Sequence, residues 1–97
     1  MPTLEVRRDD AKQRYELVED GAVVGFIDFT RDGERVTLVH TEVLEPSRRR
    51  GYASKLVKYA LDDLGARDLL LVPQCPFVAR YIESHPEYAA LVEQAAG

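Results

Sequence analysis

Arg48-Arg49-Arg50-Gly51-Tyr52-Ala53 holds the densest chemical potential in this chain. It stands between a strand-like run, Arg35-Val36-Thr37-Leu38-Val39-His40-Thr41-Glu42-Val43, and a helical pattern that begins near Gly51. A loop that turns from a strand into a helix aims several backbone N–H groups one way, at the positive end of the helix dipole. Gly51 and Ala53 let a ligand come close to that backbone, while three arginines add charge and paired donors. The chemistry this predicts is capture of a small phosphate-bearing anion. An arginine run before a helix is also the ordinary make-up of a solvated turn, so the surrounding elements must decide.

Cys75, the single cysteine, follows a short apolar run and stands between Pro73 and Pro76, where a short helix begins. A thiol at a helix N-terminus has its thiolate favoured and gains nucleophilicity. The alternative is a small buried hydrophobe. His40 and Glu42, two apart on a strand, share a face, and either could take the proton of an incoming amine, directly or through water. A hydrogen-bonded core histidine is the other reading of His40. Two histidines and one cysteine without ligand spacing make no metal site, and Ser47 and Ser54 lack the His/Asp neighbours of a triad.

Four strands precede these residues. Leu4 and Val6 alternate with polar neighbours, and Tyr15, Leu17 and Glu19 alternate with Arg14, Glu16 and Val18. Asp20-Gly21 is a hairpin signal; a third strand runs from Ala22 to about Thr30, and the fourth spans Arg35 to Val43. The period then changes. Tyr52, Leu56, Val57, Ala60, Leu61 and Leu64 form a stripe at helical spacing, with Gly65 placed as its C-cap. Leu69 to Val72 suits a strand buried on both faces. Phe77, Val78, Tyr81 and Ile82 predict a short helix broken at His85-Pro86, and Tyr88, Leu91, Val92 and Ala95 predict a last one. The order is an α+β mixed sheet: a four-strand antiparallel meander, a helix, a parallel fifth strand and two C-terminal helices.

His40-Thr41-Glu42-Val43, the arginine–glycine loop, Val72-Pro73-Gln74-Cys75-Pro76-Phe77-Val78 and Tyr81-Ile82-x-x-His85-Pro86-Glu87-Tyr88 occur in that order. Together they resemble the small single-domain members of the GNAT superfamily of acetyl-coenzyme A-dependent N-acetyltransferases, over nearly the whole chain. The resemblance implies that the fourth and fifth strands splay apart and that the pantetheine arm enters the gap. It implies a pyrophosphate held by the backbone amides from Arg49 to Ser54. Arg48 takes the first motif position and Gly51 and Ala53 the small ones, with alanine in place of the more frequent final glycine. Tyr52 falls inside this cofactor-binding set, though it also reads as a core contact of the helix. Val43 sits where the family places the strand amide that bonds the pantetheine or thioester carbonyl, a donor able to stabilise an oxyanion. Cys75 would face the cofactor thiol, as a lining residue or as the carrier of an acetyl-cysteine intermediate. Tyr81 would reprotonate the departing thiolate, or simply pack with its hydroxyl satisfied. The chain lacks the early helices that usually build much of the acceptor site.

Composition bounds the rest. Ninety-seven residues, 45% hydrophobic and 31% charged, predict one folded domain over 1–97. A net charge of −4 disfavours nucleic-acid binding. Positive charge is local, with Arg48, Arg49, Arg50, Lys55 and Lys58 close together. One cysteine, no leader pattern in the first residues and no long apolar run predict a cytoplasmic protein away from membranes. The expected function is acetyl transfer from acetyl-coenzyme A to a primary amine of unknown identity, by direct attack ahead of a relay through Cys75. Two alternatives stand: a non-catalytic coenzyme A-binding sensor or partner protein, and an interaction domain whose arginine turn binds an acidic partner.

Overall fold

The computed structural model describes residues 3–43 and 51–92. Four strands come first: β1 (Leu4–Asp9), β2 (Arg14–Glu19), β3 (Ala22–Asp32) and β4 (Arg35–Val43). Helix α1 (Tyr52–Ala66), strand β5 (Leu70–Pro73), helix α2 (Pro76–Ser84) and a 3₁₀ helix (Pro86–Leu91) complete the described chain. The strands lie in sequence order in one sheet, antiparallel from β1 to β4, with β5 parallel to β4. Asp20 and Gly21 both take positive φ, 51° and 84°. Those angles fit the tight hairpin that joins β2 to β3, whose twist matches the strands it connects. The third strand extends to Asp32, two residues beyond the expected end.

Alternation along the strands drives one face of the sheet into the core. Tyr15, Leu17, Ile27, Phe29, Val36 and Leu38 meet the α1 stripe of Leu56, Val57, Ala60, Leu61 and Leu64. A bulge interrupts this regular pattern where the site will form. Phe29 pairs with Leu38 but Asp28 pairs with His40, leaving Val39 as an extra residue on β4. The slip reverses the facing of everything after it. Thr41 and Val43 therefore turn to the α1 side, and His40 and Glu42 to the open side.

Three expectations are corrected. Gly65 does not cap α1: the helix runs on to Ala66, with Arg67 as its C-cap. Asp68 takes the left-handed conformation at φ 55°. Its N–H bonds Gly65 O at 3.2 Å and the Leu69 N–H bonds Leu64 O at 3.0 Å, the double closure of a Schellman end. Gly65 lies against Leu91 instead: a Cβ there would meet Leu91 Cδ2 at 3.4 Å, an ordinary contact. Strand β5 is not buried on both faces, because Leu70 is 39% exposed while Leu71 is sealed. The segment after His85-Pro86 is a 3₁₀ turn rather than an α-helix, and Val92 then bridges to Leu71 beside β5. Ala95 lies outside the described residues. Among those described, no helix is long and apolar enough to cross a membrane.

A polar tie locks α1 to the sheet. Tyr15 Oη donates to Asp63 Oδ2 at 2.8 Å, while Arg8 and Arg67 approach the same carboxylate at 3.3 and 3.0 Å. Burial alone would raise the Asp63 carboxyl. The hydrogen bonds of Tyr15 and Arg67 and the charges of Arg67 and Arg8 outweigh it and hold the group below the usual carboxylate range. Burial, reinforced by Asp63, also pushes the Tyr15 hydroxyl far up, so it stays a donor. A carboxyl depressed in the folded state stabilises above its unfolded value, and that stability is lost as pH falls through the folded one. Asp63→Asn should cost about 1–3 kcal/mol in urea unfolding near neutrality. The deficit should shrink in acid; a deficit constant with pH would mean that the charge of Asp63 adds nothing.

Candidate functional site

Strands β4 and β5 part company half-way along. They pair only from Arg35 with Leu70 to Leu38 with Pro73. Pro73 has no N–H to continue the ladder. The last link is the Cys75 N–H to Leu38 O at 2.9 Å, after which Pro76 begins α2 and the chain turns away. Beyond Leu38, β4 runs on to Val43 without β5 beside it. The separation leaves a cleft of about 260 Å³ on the α1 side, lined by Thr41, Val43, Ala53 and Phe77.

Cys75 lies where the strands separate, at the N-cap of α2 and only 4% exposed. Its Sγ is 3.3 Å from Thr41 Oγ1. The thiol donates to that hydroxyl; once ionised, it would accept from it. Proline at the first helical position leaves the following amides as the donors at this helix end. Burial pushes the thiol up, yet the Thr41 hydroxyl and the backbone N–H groups of Val78, Phe77 and Thr41 outweigh it. The net result is a thiol that ionises below its ordinary range. Val43, two residues beyond Thr41 on β4, lines the same cleft.

The opposite wall begins at Gly51, which takes φ 70°, ψ 21° just before α1. No side chain caps this helix and no acid occupies its first turn. The N–H groups of Tyr52, Ala53 and Ser54 have no partner inside the helix, so the positive end of α1 is presented outward. The Tyr52 side chain is buried, its hydroxyl donating to Glu19 Oε2, which is the core role. Arg48, Arg49 and Arg50 lie outside the described residues.

The remaining candidates are dispersed. His40 and Glu42 do share a face, but the bulge turns that face away from the cleft. There both are exposed, with the His40 ring 6.2 Å from Phe26. Tyr81 stacks on His85 at 3.9 Å and lines a second cleft of about 240 Å³ with Ser54, Phe77, Arg80, Ser84 and His85. Burial raises the Tyr81 hydroxyl. The structure thus brings Cys75, Val43 and Ala53 to one place and leaves His40, Glu42 and Tyr81 off it. Thr41 and Phe77 are members that the sequence reading missed. A signal for Thr41 existed: Val36 and Leu38 are out of phase with Val43, which one slipped residue in β4 explains. Phe77 had none, because a helix stripe does not say that its first aromatic is 40% exposed at a cleft mouth.

The family model for GCN5-related N-acetyltransferases matches residues 14–91. This chain belongs to that family. Membership places it among the N-acetyltransferases, a family whose enzymes use acetyl-coenzyme A. Its fold is similar to that of a GCN5-like candidate N-acetyltransferase from Staphylococcus aureus. That likeness has a TM-score of 0.73 and 18% identity, over 98% of this chain and 93% of that one. The ribosomal-protein-S18-alanine N-acetyltransferase of Escherichia coli is similar with a TM-score of 0.65 and 15% identity, over 88% of this chain and 76% of that one. At such identities the likeness speaks for the fold alone. No curated protein is similar enough in sequence to add to the comparison.

Proposed function

We propose that this protein moves an acetyl group from acetyl-coenzyme A to a primary amine, using Cys75 as a relay. One observation carries the reading. A thiol held below its ordinary ionisation range lies beside the same cleft that an uncapped helix N-terminus flanks. The helix end and the arginines before it suit a pyrophosphate, and the narrow cleft between Thr41, Val43, Ala53 and Phe77 suits a thin pantetheine arm. The sequence ranks direct attack first. The relay is favoured by the place of the thiol at the strand split, where Sγ lies 3.3 Å from the hydroxyl of Thr41 on the cleft wall.

The chemistry balances in two steps. The Cys75 thiolate attacks the thioester carbonyl, the tetrahedral intermediate collapses, and coenzyme A leaves as its thiolate. A neutral amine then attacks acetyl-Cys75 from the open side of the sheet and expels the Cys75 thiolate. The amine's extra proton passes to water, with His40 and Glu42 standing on that side to receive it.

The test is thiol release from acetyl-coenzyme A with a panel of primary amines, alongside calorimetric binding. Amine-dependent release is expected. Binding without release for every amine would return the protein to the sensor reading, and no binding at all would leave the arginine turn to an acidic partner.

A further inference from the structure

Strand β1 forms one edge of the sheet, and among the described residues no strand pairs with its outer side. At the other edge, Val92 bridges Leu71 of β5. β1 pairs with β2 in unbroken register from Leu4 with Glu19 to Asp9 with Arg14, and it holds neither a bulge nor a proline. Bulges and prolines are devices that keep an edge from pairing with another chain. Thr3 O accepts the Asp20 N–H at 2.8 Å, so Thr3 turns its backbone groups inward, to β2. Alternation along an antiparallel ladder then turns Glu5 and Arg7 inward as well. It leaves the N–H and C=O of Leu4, Val6 and Arg8 directed outward. Side chains alternate too. Leu4 and Val6 line a groove of about 300 Å³ with Leu17 and Tyr59 of the α1 side, while Glu5 and Arg7 are exposed. Arg7 reaches Glu16 at 3.2 Å, yet its side chain stays 55% exposed and keeps donors to spare.

We infer that β1 pairs antiparallel with β1 of a second copy of this chain, across a two-fold axis at Val6. Opposite residues must share a face of the continued sheet, so the axis passes through a residue. An axis at Glu5 sets two carboxylates against each other, and an axis at Arg7 sets two guanidiniums; both are unfavourable. An axis at Val6 sets Glu5 opposite Arg7 of the second copy, twice over, at the non-hydrogen-bonded positions where side chains come closest. The same register satisfies every outward backbone group, Val6 with Val6 and Leu4 with Arg8 in both directions. It also joins the two apolar grooves along Leu4 and Val6. Charge order thus selects this chain as its own partner. β1 is the edge far from β4 and β5, so pairing leaves each cleft open and does not depend on acetyl transfer.

Sedimentation of the full chain over a concentration series reaching about 1 mM tests this. Wild type should pass from monomer to dimer, and the dimer should weaken as salt rises. Glu5→Lys should weaken it about tenfold or more by setting like charge against Arg7, and the exposure of Glu5 keeps the fold out of the result. Val6→Pro should abolish it, because the central N–H is lost, whereas an unpaired edge tolerates proline. Val6→Cys reads the register. A hydrogen-bonded antiparallel pair sets its Cα atoms about 5.5 Å apart, within disulfide reach, so mild oxidation should trap a covalent dimer. The native Cys75 is buried and should stay silent. A dimer that Glu5→Lys and Val6→Pro both leave intact, or that oxidation of Val6→Cys does not trap, would overturn the pairing. A monomer throughout the series would leave the edge to an extended segment of another protein, and the assignment would fail.

Discussion

Cys75→Ala should lower amine acetylation by roughly a thousandfold or more while leaving coenzyme A binding close to wild type. It should also abolish an adduct that wild type forms when mixed with acetyl-coenzyme A and no acceptor. That adduct is one acetyl group on the peptide containing Cys75, read by mass. The expectation follows from position and ionisation together: Sγ stands where β4 and β5 separate, and Thr41 with the amides of α2 favours its thiolate. Cys75→Ser should keep the packing but not the rate, since a hydroxyl is far less ionised near neutral pH. Thr41→Val removes one of the thiolate's supports and should move the pH at which Cys75 becomes alkylatable upward. An alanine variant with near-normal turnover would end the relay and restore direct attack. A buried cysteine trimmed to alanine loses only a small group, so a collapse of coenzyme A binding in that variant would point to misfolding rather than chemistry.

The order of elements was legible because each carries its own local signal. Period-two alternation in Leu4–Val6 and Arg14–Glu19, the Asp20-Gly21 hairpin and the six-residue stripe from Tyr52 to Leu64 needed no tertiary information. Helix ends were harder. Gly65 has the composition of a cap, yet Asp68 takes the left-handed position because Leu64 and Gly65 still offer carbonyls to the chain that turns toward β5. The pull of Leu91 on the Gly65 surface is a contact across the sequence, invisible to any window around the helix. The segment Pro86–Leu91 reads as a helix from Tyr88 and Leu91, but Val92 pairs beside Leu71, and that long-range bridge leaves room for only a tight turn.

The candidate site was legible in its parts and not in its facing. The loop, the thiol and the strand residues could be named from composition, because glycine before a helix and cysteine at a helix start have local meanings. Which of His40, Thr41, Glu42 and Val43 look into the gap depends on a single extra residue, Val39. A strict alternation from Val36 and Leu38 sends His40 and Glu42 inward, whereas the bulge against Asp28 and Phe29 sends Thr41 and Val43. One inserted residue exchanges the whole set, which is why strand facing is fragile information in a sequence.

Gly51→Glu should weaken acetyl-coenzyme A by tenfold or more, about 1.4 kcal/mol, in a calorimetric titration. Gly51 sits at φ 70°, where a side chain is strained, but a Cβ built there meets nothing within 4 Å. The fold should therefore survive the change, at a cost of about 1–2 kcal/mol in stability. What the carboxylate does next is electrostatic. It places negative charge at the end of α1, where the free N–H groups of Tyr52, Ala53 and Ser54 would otherwise take the pyrophosphate. Gly51→Ala separates the two effects, because it carries the backbone strain without the charge and should keep most of the affinity. Binding should also weaken as salt rises, since the contact is charge-assisted. If Gly51→Glu binds as tightly as wild type and salt makes no difference, the arginine–glycine loop is a solvated turn, and the cofactor must be held by the cleft between Thr41, Val43, Ala53 and Phe77 alone.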